Sequence, residues 1–312
     1  GLSNETLTRA AKRFGRTADR FILIGNDVLD TGQGEDVLNA LLNLSILVHY
    51  GAEGGISIFP PREHCNSQGV NDMGVTPDHL PGYGPLTDSA ALSTLGSEWG
   101  VGSLQFSDNN PASNLFENCI NGTIKFLHIA GEDPVHSYYK GALVKNALNT
   151  VPFLVVQDVY MTDTARMADI VLPTTTFAEK EGTYTNMTRH VQRVTPATRP
   201  QGQSKTDHDI FVDLAEAFGK PFVNTAVSEV QGEISRTVAG YKERFPGTNS
   251  KQWAPEGFTQ KSSFHISRPC VEREKKSGYP FQLVSNNHMF HIGSYTHYAK
   301  ALTDIGPDCI AD

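Results

Sequence analysis

The stretch that decides the fold class is Gln157-Asp158-Val159-Tyr160-Met161-Thr162-Asp163-Thr164-Ala165-Arg166-Met167-Ala168-Asp169-Ile170-Val171-Leu172-Pro173. It follows an apolar run at 151–156, which has the composition of a strand covered on both faces. Residues 163–168 then predict a short helical turn, and residues 170–172 predict another short buried strand. The sequence therefore predicts an α/β fold with Rossmann-like parallel sheets.

Polar side chains begin where the apolar run at 151–156 ends. In an open α/β sheet, ligands bind outside the carboxyl ends of the strands. We therefore expect Asp158, Thr162 and Thr164 at a binding edge. The alternative is purely local, because Asp158 and Thr162 could cap the 163–168 turn.

A second βα unit precedes this stretch, with a strand at 124–129, the turn Gly131-Glu132-Asp133-Pro134 and a helix at 140–149. Such a connection between parallel strands is right-handed by default. Taken alone, the turn favours an Asx turn that caps the helix. Two polar strand ends side by side instead predict a crevice where the strand order reverses, and this favours a nucleotide-like ligand.

The amino-terminal part of the chain predicts one further βα unit. Residues 3–14 form a helix that Ser3 or Asn4 can cap and Gly15 can end. A buried strand at 21–24 and an amphipathic helix at 35–49 follow. The glycines between them do not spell GxGxxG, so they indicate a nicotinamide cofactor only weakly.

Residues 51–84 are rich in Gly, Pro and Asn, and they predict a long functional loop. Arg62 and His64 in this loop are the candidates for handling an anion or the substrate. A guanidinium binds a carboxylate through two hydrogen bonds, and an imidazole titrates near neutrality. The alternative is a solvated loop arginine with an incidental histidine.

The carboxyl-terminal third of the chain predicts little regular structure. Residues 206–209 cap a helix at 208–219, and residues 222–278 are expected to be polar connection and surface. Residues 279–284 predict a strand that opens a new domain. About 35 residues are too few to close a core of their own, so we expect this domain to be cut short.

Composition limits the function classes. The chain has 312 residues, enough for two or three domains, and a net charge of −8, which argues against a general nucleic-acid binder. No apolar run approaches the length of a membrane span, and no signal peptide is visible. The missing initiator Met fits processing, a cloning scar or a cut from a longer chain. The thiols Cys65, Cys119, Cys270 and Cys309 are far apart and predict neither an iron–sulfur nor a zinc site.

Three other kinds of site find no support in the sequence. Glu179 and Glu181 are two residues apart on one predicted strand. A glycosidase needs two carboxylates on opposite sides of the scissile bond, and this spacing does not indicate such an arrangement. A serine hydrolase would need a GxSxG elbow, which is absent. His288, His291 and His297 lack the carboxylate or cysteine spacing of a metal site, so no metal ligands are predicted.

Four segments of the chain resemble signatures of the molybdopterin oxidoreductase family, in the same order. Asn66-Ser67-Gln68-Gly69-Val70-Asn71-Asp72-Met73-Gly74 with Leu80-Pro81-Gly82-Tyr83 is similar to the family's NxQGxxDMG…PGY loop. Gly131-Glu132-Asp133-Pro134 resembles its G-[EN]-[ND]-P turn. The segments 157–173 and 181–192 resemble QDxFxTxTAxxADVxLP and EGTxTNxxRxVQ. Residues 279–283 look like the opening of the family's last, cofactor-covering domain.

This resemblance implies a molybdopterin guanine dinucleotide cofactor, although members without molybdenum occur. It implies that one guanosine diphosphate arm contacts the 131–133 turn and residues 158 and 162, with the 66–74 loop near the pterin. Arg62 matches an arginine beside the substrate in formate dehydrogenases. The complete set of cofactor-binding residues that it implies is Gln68, Gly69, Asp72, Met73, Gly131, Glu132, Asp133, Gln157, Asp158, Thr162, Thr164, Asp169 and Gln192.

The resemblance also implies a domain plan. Residues 1–65 would end one α/β nucleotide-arm domain, residues 66–220 would form the second, residues 221–278 would connect, and residues 279–312 would start a β-barrel-like covering domain. The family's iron–sulfur cysteines, electron-relaying lysine and molybdenum ligand lie upstream of these motifs. We therefore expect a central piece of a larger subunit, inactive by itself, with iron–sulfur clusters in the missing part.

Two parent enzymes fit the resemblance. The 71–74 loop, the 183–186 segment and His190, where members often have arginine, favour the large peripheral-arm subunit of NADH–quinone oxidoreductase (complex I). Arg62 and the guanosine-contact residues favour a formate dehydrogenase α subunit. Because a domain that no longer performs molybdenum chemistry tolerates the departure at His190, we expect the complex I subunit first, with the formate dehydrogenase subunit as the alternative. Either implies partner subunits of a respiratory or formate-oxidising complex, no direct membrane insertion, and a cytoplasmic location, at most peripheral on the inner membrane. A standalone nucleotide-binding module is the third hypothesis.

Overall fold

The computed structural model describes residues 2–17, 20–29, 34–51, 56–62, 64–102, 104, 114–138, 140–241 and 295–305. The chain divides into two compact units, and the division falls between Cys65 and Asn66. The described residues up to Cys65 belong to the first unit, and those from Asn66 onward belong to the second. Each unit is an assembly of helices with short strands.

The first unit contains one parallel βαβ arrangement. Its elements are α1 (Asn4–Gly15), β1 (Arg20–Leu23), α2 (Asn26–Leu29), α3 (Gly34–Gly51) and β2 (Ile56–Phe59). Strands β1 and β2 are parallel and run in register from Arg20 opposite Ile56 to Leu23 opposite Phe59. The predicted helices and the first strand are present, within one or two residues of their expected limits.

Helix α1 begins and ends as its sequence predicts. The Ser3 side chain accepts a hydrogen bond from the Thr6 N–H and satisfies one free donor of the first turn. At the other end the buried Arg20 donates from Nε to the Phe14 carbonyl at 2.8 Å and from Nη2 to the Gly15 carbonyl at 3.0 Å. A guanidinium that covers free carbonyls stabilises a helix carboxyl terminus.

The second unit contains most of the described chain. Its elements are α4 (Ser67–Asp72), α5 (Ser89–Glu98), α6 (Leu115–Ile120), β3 (Leu127–Ala130), α7 (Pro134–Ser137), α8 (Gly141–Thr150), β4 (Leu154–Asp158), β5 (Ile170–Pro173), β6 (Gly182–Thr185), β7 (Val191–Val194), α9 (Asp207–Ala217), α10 (Val227–Thr237) and α11 (Lys300–Thr303). Single 3-10 turns lie at Pro81–Tyr83, Ala165–Met167, Phe177–Glu179, Ala239–Tyr241 and Tyr295–Tyr298. Strands β6 and β7 form an antiparallel hairpin.

The parallel sheet of the second unit has the strand order β3-β4-β5. Every residue of the central strand β4 is buried, which explains why its sequence is apolar without alternation. Val156 of β4 and the α8 residues Val144 and Ala147 are fully buried in the core beside it. The carboxyl ends of all three strands therefore meet at one edge, where the sequence predicts a binding site.

Two expectations about the fold were wrong. The expected loop at 51–84 contains strand β2 and helix α4. The expected polar connection after residue 222 includes helix α10, which has no buried residues, and the connection otherwise stays a prediction. β2 is only four residues long, and its pairing with β1 is a long-range contact that local sequence does not reveal. Among the described strands the order β3-β4-β5 is consecutive, so the polar edge forms without a reversal of strand order.

Several predictions fall on residues outside those described. These include the strand at 279–284, most of the 221–278 connection, and His288, His291, Cys270 and Cys309. The β-barrel-like domain therefore stays a prediction. Of the other thiols, Cys119 is buried in the core and Cys65 is exposed. No helix among the described residues is long and apolar enough to cross a membrane.

Candidate functional site

A crevice of about 400 Å³ lies at the carboxyl ends of β3, β4 and β5. Gly131 follows β3, Asp158 ends β4, and Thr174 follows β5, so each strand contributes to its lining. Thr162 also lines the crevice. The structure thus brings the predicted polar residues of two strands to a single concave surface, the usual place for a ligand in this class of sheet.

Asp158, Lys180 and Asp207 are charged residues that line the crevice, and Asp158 is 9% exposed. Its Oδ1 accepts a hydrogen bond from the Tyr160 backbone N–H at 3.1 Å. Burial raises the pKa of Asp158 above its ordinary value. The backbone N–H groups of Tyr160 and Val159 oppose this rise, and the weaker effects of the Asp133 and Glu132 charges add to it. A carboxylate that is partly desolvated and still has acceptor capacity is suited to a ligand that donates hydrogen bonds.

Gly131 leaves space beside β3. Its φ of +68° lies in the left-handed region, and a Cβ placed there would meet no atom within 4 Å. Its N–H donates to the Gln157 carbonyl at 2.8 Å, which extends the sheet by one hydrogen bond. The turn therefore exposes bare backbone to the crevice, whereas the next residue, Glu132, accepts a hydrogen bond from Ser137 Oγ at 2.6 Å.

Asp133 and Thr164 bind each other. Both are buried, and the Asp133 carboxylate accepts hydrogen bonds from Thr164 Oγ1 at 2.6 Å and from the Thr164 N–H at 3.2 Å. Thr164 Oγ1 in turn accepts one from the Val135 N–H at 3.2 Å. These side chains link the turn after β3 to the turn after β4, and neither of them lines the crevice.

Thr162 does cap the turn that follows it, as the local alternative proposed. Its Oγ1 accepts a hydrogen bond from the Ala165 N–H at 3.1 Å. The sequence alternative for the 131–134 turn was an Asx turn that caps the helix at 140–149. In the structure the backbone carbonyl of Asp133 accepts hydrogen bonds from the N–H groups of His136 and Ser137 in the short helix α7. Helix α8 begins separately, after Lys140.

A polar network around Asp207 forms one side of the crevice. Asp207, the first residue of α9, accepts hydrogen bonds from Gln157 Nε2 at 2.7 Å and Thr174 Oγ1 at 2.8 Å, and it forms an ion pair with Lys180. Burial alone would raise the pKa of Asp207. The Lys180 charge and these hydrogen bonds outweigh it and lower that pKa below its ordinary value. Gln157 is fully buried and acts within this network.

Aromatic rings form another side of the crevice. The rings of Tyr160 and Tyr298 stack with their centroids 4.6 Å apart and their planes at 14°. Tyr295 meets Tyr160 edge to face at 5.4 Å. All three line the crevice or its rim in the second unit, and flat rings of this kind offer stacking surface to a planar ligand.

A separate buried cluster surrounds Asp72, which is 0% exposed. Its Oδ1 accepts hydrogen bonds from Gln68 Nε2 at 2.7 Å and Tyr83 OH at 2.7 Å, and it lies 3.3 Å from Arg189 Nη1. Its Oδ2 accepts one from Tyr241 OH at 2.9 Å. A buried carboxylate is tolerated when it has this many donors. Asp72 therefore lies inside the protein with both oxygens engaged.

Two members of this Asp72 cluster have strained backbones. Tyr83 has φ of +68° and Arg189 has φ of +61°, values that non-glycine residues adopt at a cost of about 1–3 kcal/mol each. Burial, and then the hydrogen bond to Asp72, raise the pKa of Tyr83 to about 12. Burial also raises the pKa of Tyr241. Both phenols therefore stay protonated and donate to Asp72 at neutral pH.

The Asp72 cluster joins two sequence motifs that are more than 100 residues apart. Asn66 Oδ1 accepts a hydrogen bond from the Thr185 N–H at 2.9 Å, and a Cβ on Gly69 would lie 2.3 Å from Asn66 Oδ1. Met73 packs beside the buried Val191 in a small apolar cluster. Gly69 and Met73 are thus packing residues of this junction.

Two more predicted residues of the second unit, Asp169 and Gln192, do not line the crevice. Asp169 lies at the opposite, amino-terminal edge of the sheet, where its Oδ2 accepts a hydrogen bond from the Leu154 N–H at 2.7 Å. Gln192 is exposed on the β6–β7 hairpin, opposite Tyr184. Arg62 and His64 belong to the first unit and are exposed after the carboxyl end of β2.

Sequence reasoning missed several residues of both sites. Thr174 and Thr175 follow β5 just as Asp158 ends β4, so the same rule about strand ends would have found them. No local pattern in the sequence indicates Lys180 and Asp207, because their ion pair joins a turn to a helix that is distant along the chain. The partners of Asp72 are likewise set by tertiary contacts. The described residues contain no group of three or more His, Cys, Asp or Glu side chains placed to hold a metal.

Comparison with known proteins links the chain to one family. A model of the family described as Molybdopterin oxidoreductase matches residues 5–217. The chain is similar to a putative formate dehydrogenase of Staphylococcus haemolyticus, at 34% identity over 266 residues that cover 83% of this chain and 27% of that protein. It is equally similar to the F420-dependent formate dehydrogenase subunit alpha of Methanocaldococcus jannaschii, at 34% over 284 residues covering 89% and 39%.

A third relative differs in its reaction. The NADPH-Fe(3+) oxidoreductase subunit alpha of Geobacter sulfurreducens is 29% identical over 310 residues, which cover 98% of this chain and 35% of that protein. The chain thus spans between 27% and 39% of the length of these relatives. Acetylene hydratase from Pelobacter acetylenicus matches with a TM-score of 0.34 and 18% identity over 45% of this chain and 22% of that one, too low to carry an argument.

Proposed function

This chain belongs to the molybdopterin oxidoreductase family, and on that premise we propose that its second unit holds a nucleotide arm of a molybdopterin guanine dinucleotide in an oxidoreductase of the formate dehydrogenase type. Two of the relatives described above are formate dehydrogenases by name. The observation that carries the proposal is the crevice at the ends of β3, β4 and β5, with Asp158 inside it.

The crevice suits the nucleoside end of such a cofactor. Its volume of about 400 Å³ lies within the usual range of ligand sites, and its tyrosine rings can stack on a base. Asp158 can accept hydrogen bonds from the N–H groups of a guanine or from ribose hydroxyls. Thr175 Oγ1 is buried beside the crevice without a partner among the described residues, as expected of a wall that receives a polar ligand.

The same edge suits phosphates less well. Asp158, Asp133 and Glu132 place negative charge there, and the nearby ammonium of Lys180 is already paired with Asp207. Phosphate groups would be repelled by these carboxylates. We therefore assign the base and ribose to this crevice, and the exposed backbone of Gly131 to the place where the chain of the cofactor leaves it.

The bound cofactor would supply the redox chemistry, and this chain would bind and orient it. In the first unit, Arg62 and His64 are our candidates for the substrate, because a guanidinium pairs with a carboxylate such as formate and an imidazole accepts or donates a proton. Two relatives are named as alpha subunits. We extend this to the present chain and propose partner subunits, with iron–sulfur clusters outside residues 1–312.

The assignment to the large peripheral-arm subunit of NADH–quinone oxidoreductase stays a prediction. It depends on the motif resemblance at 71–74 and 183–186 and on His190, and the relatives named above favour a formate dehydrogenase instead. A membrane-peripheral location depends on the same prediction.

The first test measures molybdenum and pterin in the full-length gene product that contains this chain, by elemental analysis and by fluorescence of the oxidised extract. About one equivalent of metal and pterin is expected for a catalytic enzyme. A purified protein that carries its iron–sulfur clusters but neither molybdenum nor pterin would contradict the proposal and favour the NADH–quinone oxidoreductase alternative.

A variant tests the role of the crevice. Asp158→Ala should lower the affinity for the guanine dinucleotide by roughly 10- to 100-fold, the range expected for a lost charge-assisted hydrogen bond. Asp163→Ala is the matched control, since Asp163 is an exposed carboxylate five residues away. Unchanged pterin retention in Asp158→Ala would count decisively against this site.

A further inference from the structure

Helix α1 carries a row of exposed cations, which are Arg9, Lys12, Arg13 and Arg16. Side chains three and four residues apart lie on the same side of a helix, so this spacing aligns the row along one face. Arg16 directly follows the last residue of α1 and keeps a helical backbone, with φ of −91° and ψ of −10°, so it continues the row. We call these residues the basic face of α1.

The basic face has unused capacity to bind carboxylates. In the part of the chain that the structure describes, none of its cations forms an ion pair, and Glu5 in the first turn of α1 is also unpaired. In the second unit, by contrast, the cations that pair with carboxylates are Lys180, Arg189, Arg193, Lys205 and Arg236. Guanidinium and ammonium groups form strong hydrogen bonds with carboxylates, so the basic face is open to an acidic ligand.

The stability of α1 itself does not explain the basic face. Cations near the carboxyl end of a helix interact favourably with its free carbonyls and its dipole. In α1 the buried Arg20 guanidinium already binds the carbonyls of Phe14 and Gly15, at 2.8 Å and 3.0 Å. Arg9 lies more than one turn before the end of the helix, where the effect of the dipole has faded.

The dimensions of the basic face fit an extended ligand. A cavity of about 710 Å³ borders α1, and all the cations of the basic face line it. From Arg9 to Arg16 the row extends about 10 Å along the helix axis, which exceeds the reach of a single small anion. An extended peptide advances about 3.3 Å per residue, so several consecutive acidic residues face the row. Most of the cations are arginines, whose forked guanidinium matches the two oxygens of a carboxylate.

Other polyanionic partners fit less well. The net charge of −8 repels the continuous phosphate backbone of a nucleic acid, whereas a short acidic segment interacts mainly with the local charge. A helix that lies on a membrane needs a broad exposed apolar face. In α1, Phe14 is half-buried, and the Arg20 guanidinium lies 5.9 Å from the centre of its ring. Leu7 is the large apolar side chain that this helix exposes.

We propose that the basic face of α1 is a docking surface for an extended acidic segment, rich in Asp or Glu, of a partner protein. The charge complementarity between this unpaired row of cations and a run of carboxylates carries the inference. Contacts of this kind steer and orient association. The inference goes beyond the proposed cofactor site, because α1 belongs to the first unit and the crevice to the second.

The test uses the full-length gene product that contains this chain and a fluorescein-labelled polyglutamate peptide, with fluorescence anisotropy as the readout. We expect the unchanged protein to bind the peptide, and raising the salt from about 50 mM to about 500 mM should weaken binding by about tenfold or more. The double variant Arg9→Glu with Arg13→Glu should weaken binding at low salt by at least about tenfold, because two attractions become repulsions. No salt-sensitive binding by the unchanged protein would overturn the proposal.

A matched control separates the position of the charges from the net charge. Lys145→Glu with Lys220→Glu makes the same change in net charge at exposed positions of the second unit. It should retain peptide affinity within about twofold. Equal losses in both charge-reversal variants would show an effect of net charge and would overturn the proposal.

A neutral variant separates the loss of charge from the loss of folding. Arg9→Gln with Arg13→Gln keeps residues of high helix propensity, and far-ultraviolet circular dichroism checks that α1 still forms. Its affinity for the peptide should lie between those of the unchanged protein and Arg9→Glu with Arg13→Glu. Unchanged affinity in this neutral variant would contradict a role for these charges.

Two further probes distinguish the proposed partner from other anions. Duplex DNA and vesicles of phosphatidylglycerol replace the peptide at the same low salt. Tighter binding of either one than of the peptide, lost in Arg9→Glu with Arg13→Glu, would overturn the proposal in favour of a nucleic acid or a membrane. Preferential binding of the peptide supports it. Because no pterin is measured, a protein without molybdenum and pterin would contradict the proposed function and leave this test unaffected.

Discussion

At the scale of single residues, the carboxylate of Asp158 is largely buried, and it still lines the crevice. Its pKa is raised because it is buried, and because Asp133 and Glu132 are close. The unfolded chain lacks these effects, so ionisation of Asp158 costs more in the folded protein. Binding sites often retain such destabilising groups because a ligand needs them.

This pKa shift gives a pH-dependent prediction for stability. The stability that Asp158 contributes is fully present below its unfolded pKa of about 3.9 and is lost as the pH rises through its higher folded pKa. Asp158→Asn, which stays neutral, should therefore be more stable than the unchanged protein at pH 7. The gain should disappear below about pH 4. Urea unfolding at several pH values measures it, and a loss of stability at pH 7 would contradict the assigned shift.

Asp72 should stabilise the fold, because its buried carboxylate accepts hydrogen bonds from several donors. Asp72→Ala leaves Tyr83, Tyr241 and Arg189 without their shared acceptor, and we expect a loss of about 3–5 kcal/mol in the free energy of unfolding. Glu181→Ala is the control, because that exposed carboxylate pairs with Arg193 only at 3.7 Å. It should change stability by less than about 1 kcal/mol. Similar losses in both variants by urea unfolding would disagree with the cluster described here.

At the scale of elements, the turn after α4 depends on a glycine that approaches another segment closely. Gly74 has φ of +71°, and a Cβ there would lie 2.6 Å from the Pro81 nitrogen. Gly202 has φ of +60° but no atom within 4 Å of its Cβ position. Both glycines therefore have a left-handed backbone conformation, and they differ in the space that is available for a Cβ atom.

Alanine at these two positions separates the contributions. Gly202→Ala should cost about 1–2 kcal/mol, the penalty of the left-handed conformation alone. Gly74→Ala should cost about 1–3 kcal/mol more, because the backbone of residues 80 and 81 must move. Thermal unfolding of both variants provides the comparison. Equal losses would mean that the loop accommodates the methyl group freely.

Asp169 lies at the amino-terminal edge of the parallel sheet, whereas Asp158 lies at its carboxyl-terminal edge. The Asp169 carboxylate accepts the Leu154 N–H where β4 begins, far along the strands from Asp158. Asp169→Ala should therefore destabilise the fold by about 1 kcal/mol and leave pterin retention unchanged. Asp163→Ala, which removes an exposed carboxylate from the turn after β4, should do neither. Loss of pterin from Asp169→Ala would restore its predicted place among the cofactor-binding residues.

At the scale of the whole molecule, the charge of the chain limits its partners. Its net charge of −8 repels the phosphate backbone of nucleic acids. We expect micromolar protein to leave the electrophoretic mobility of duplex DNA unchanged at low salt. A shift that weakens steeply with added salt would reveal a basic groove that the net charge conceals.

The sequence by itself determined the elements with strong local signals. Ser3 fixed the start of α1, the unbroken apolar run fixed β4, and Thr206 fixed the start of α9, where it accepts the Asp209 N–H at 3.1 Å. It also predicted that Asp158 would lie at the edge where the strands of the sheet end, because that residue ends a buried parallel strand. Each of these signals is contained within a few neighbouring residues.

Only the tertiary structure decided which polar residues face the crevice and which bind one another. Asp72, Asp133 and Asp169 look alike in the sequence, because each is a carboxylate within a family motif. In the structure each carboxylate accepts a hydrogen bond from another part of the protein. The donors are the Tyr241 hydroxyl, the Thr164 hydroxyl and the Leu154 N–H, respectively. Asp158 alone of these four lines the crevice. The physical reason is that a buried carboxylate must find donors, and those donors come from segments far apart along the chain, which no local pattern can specify.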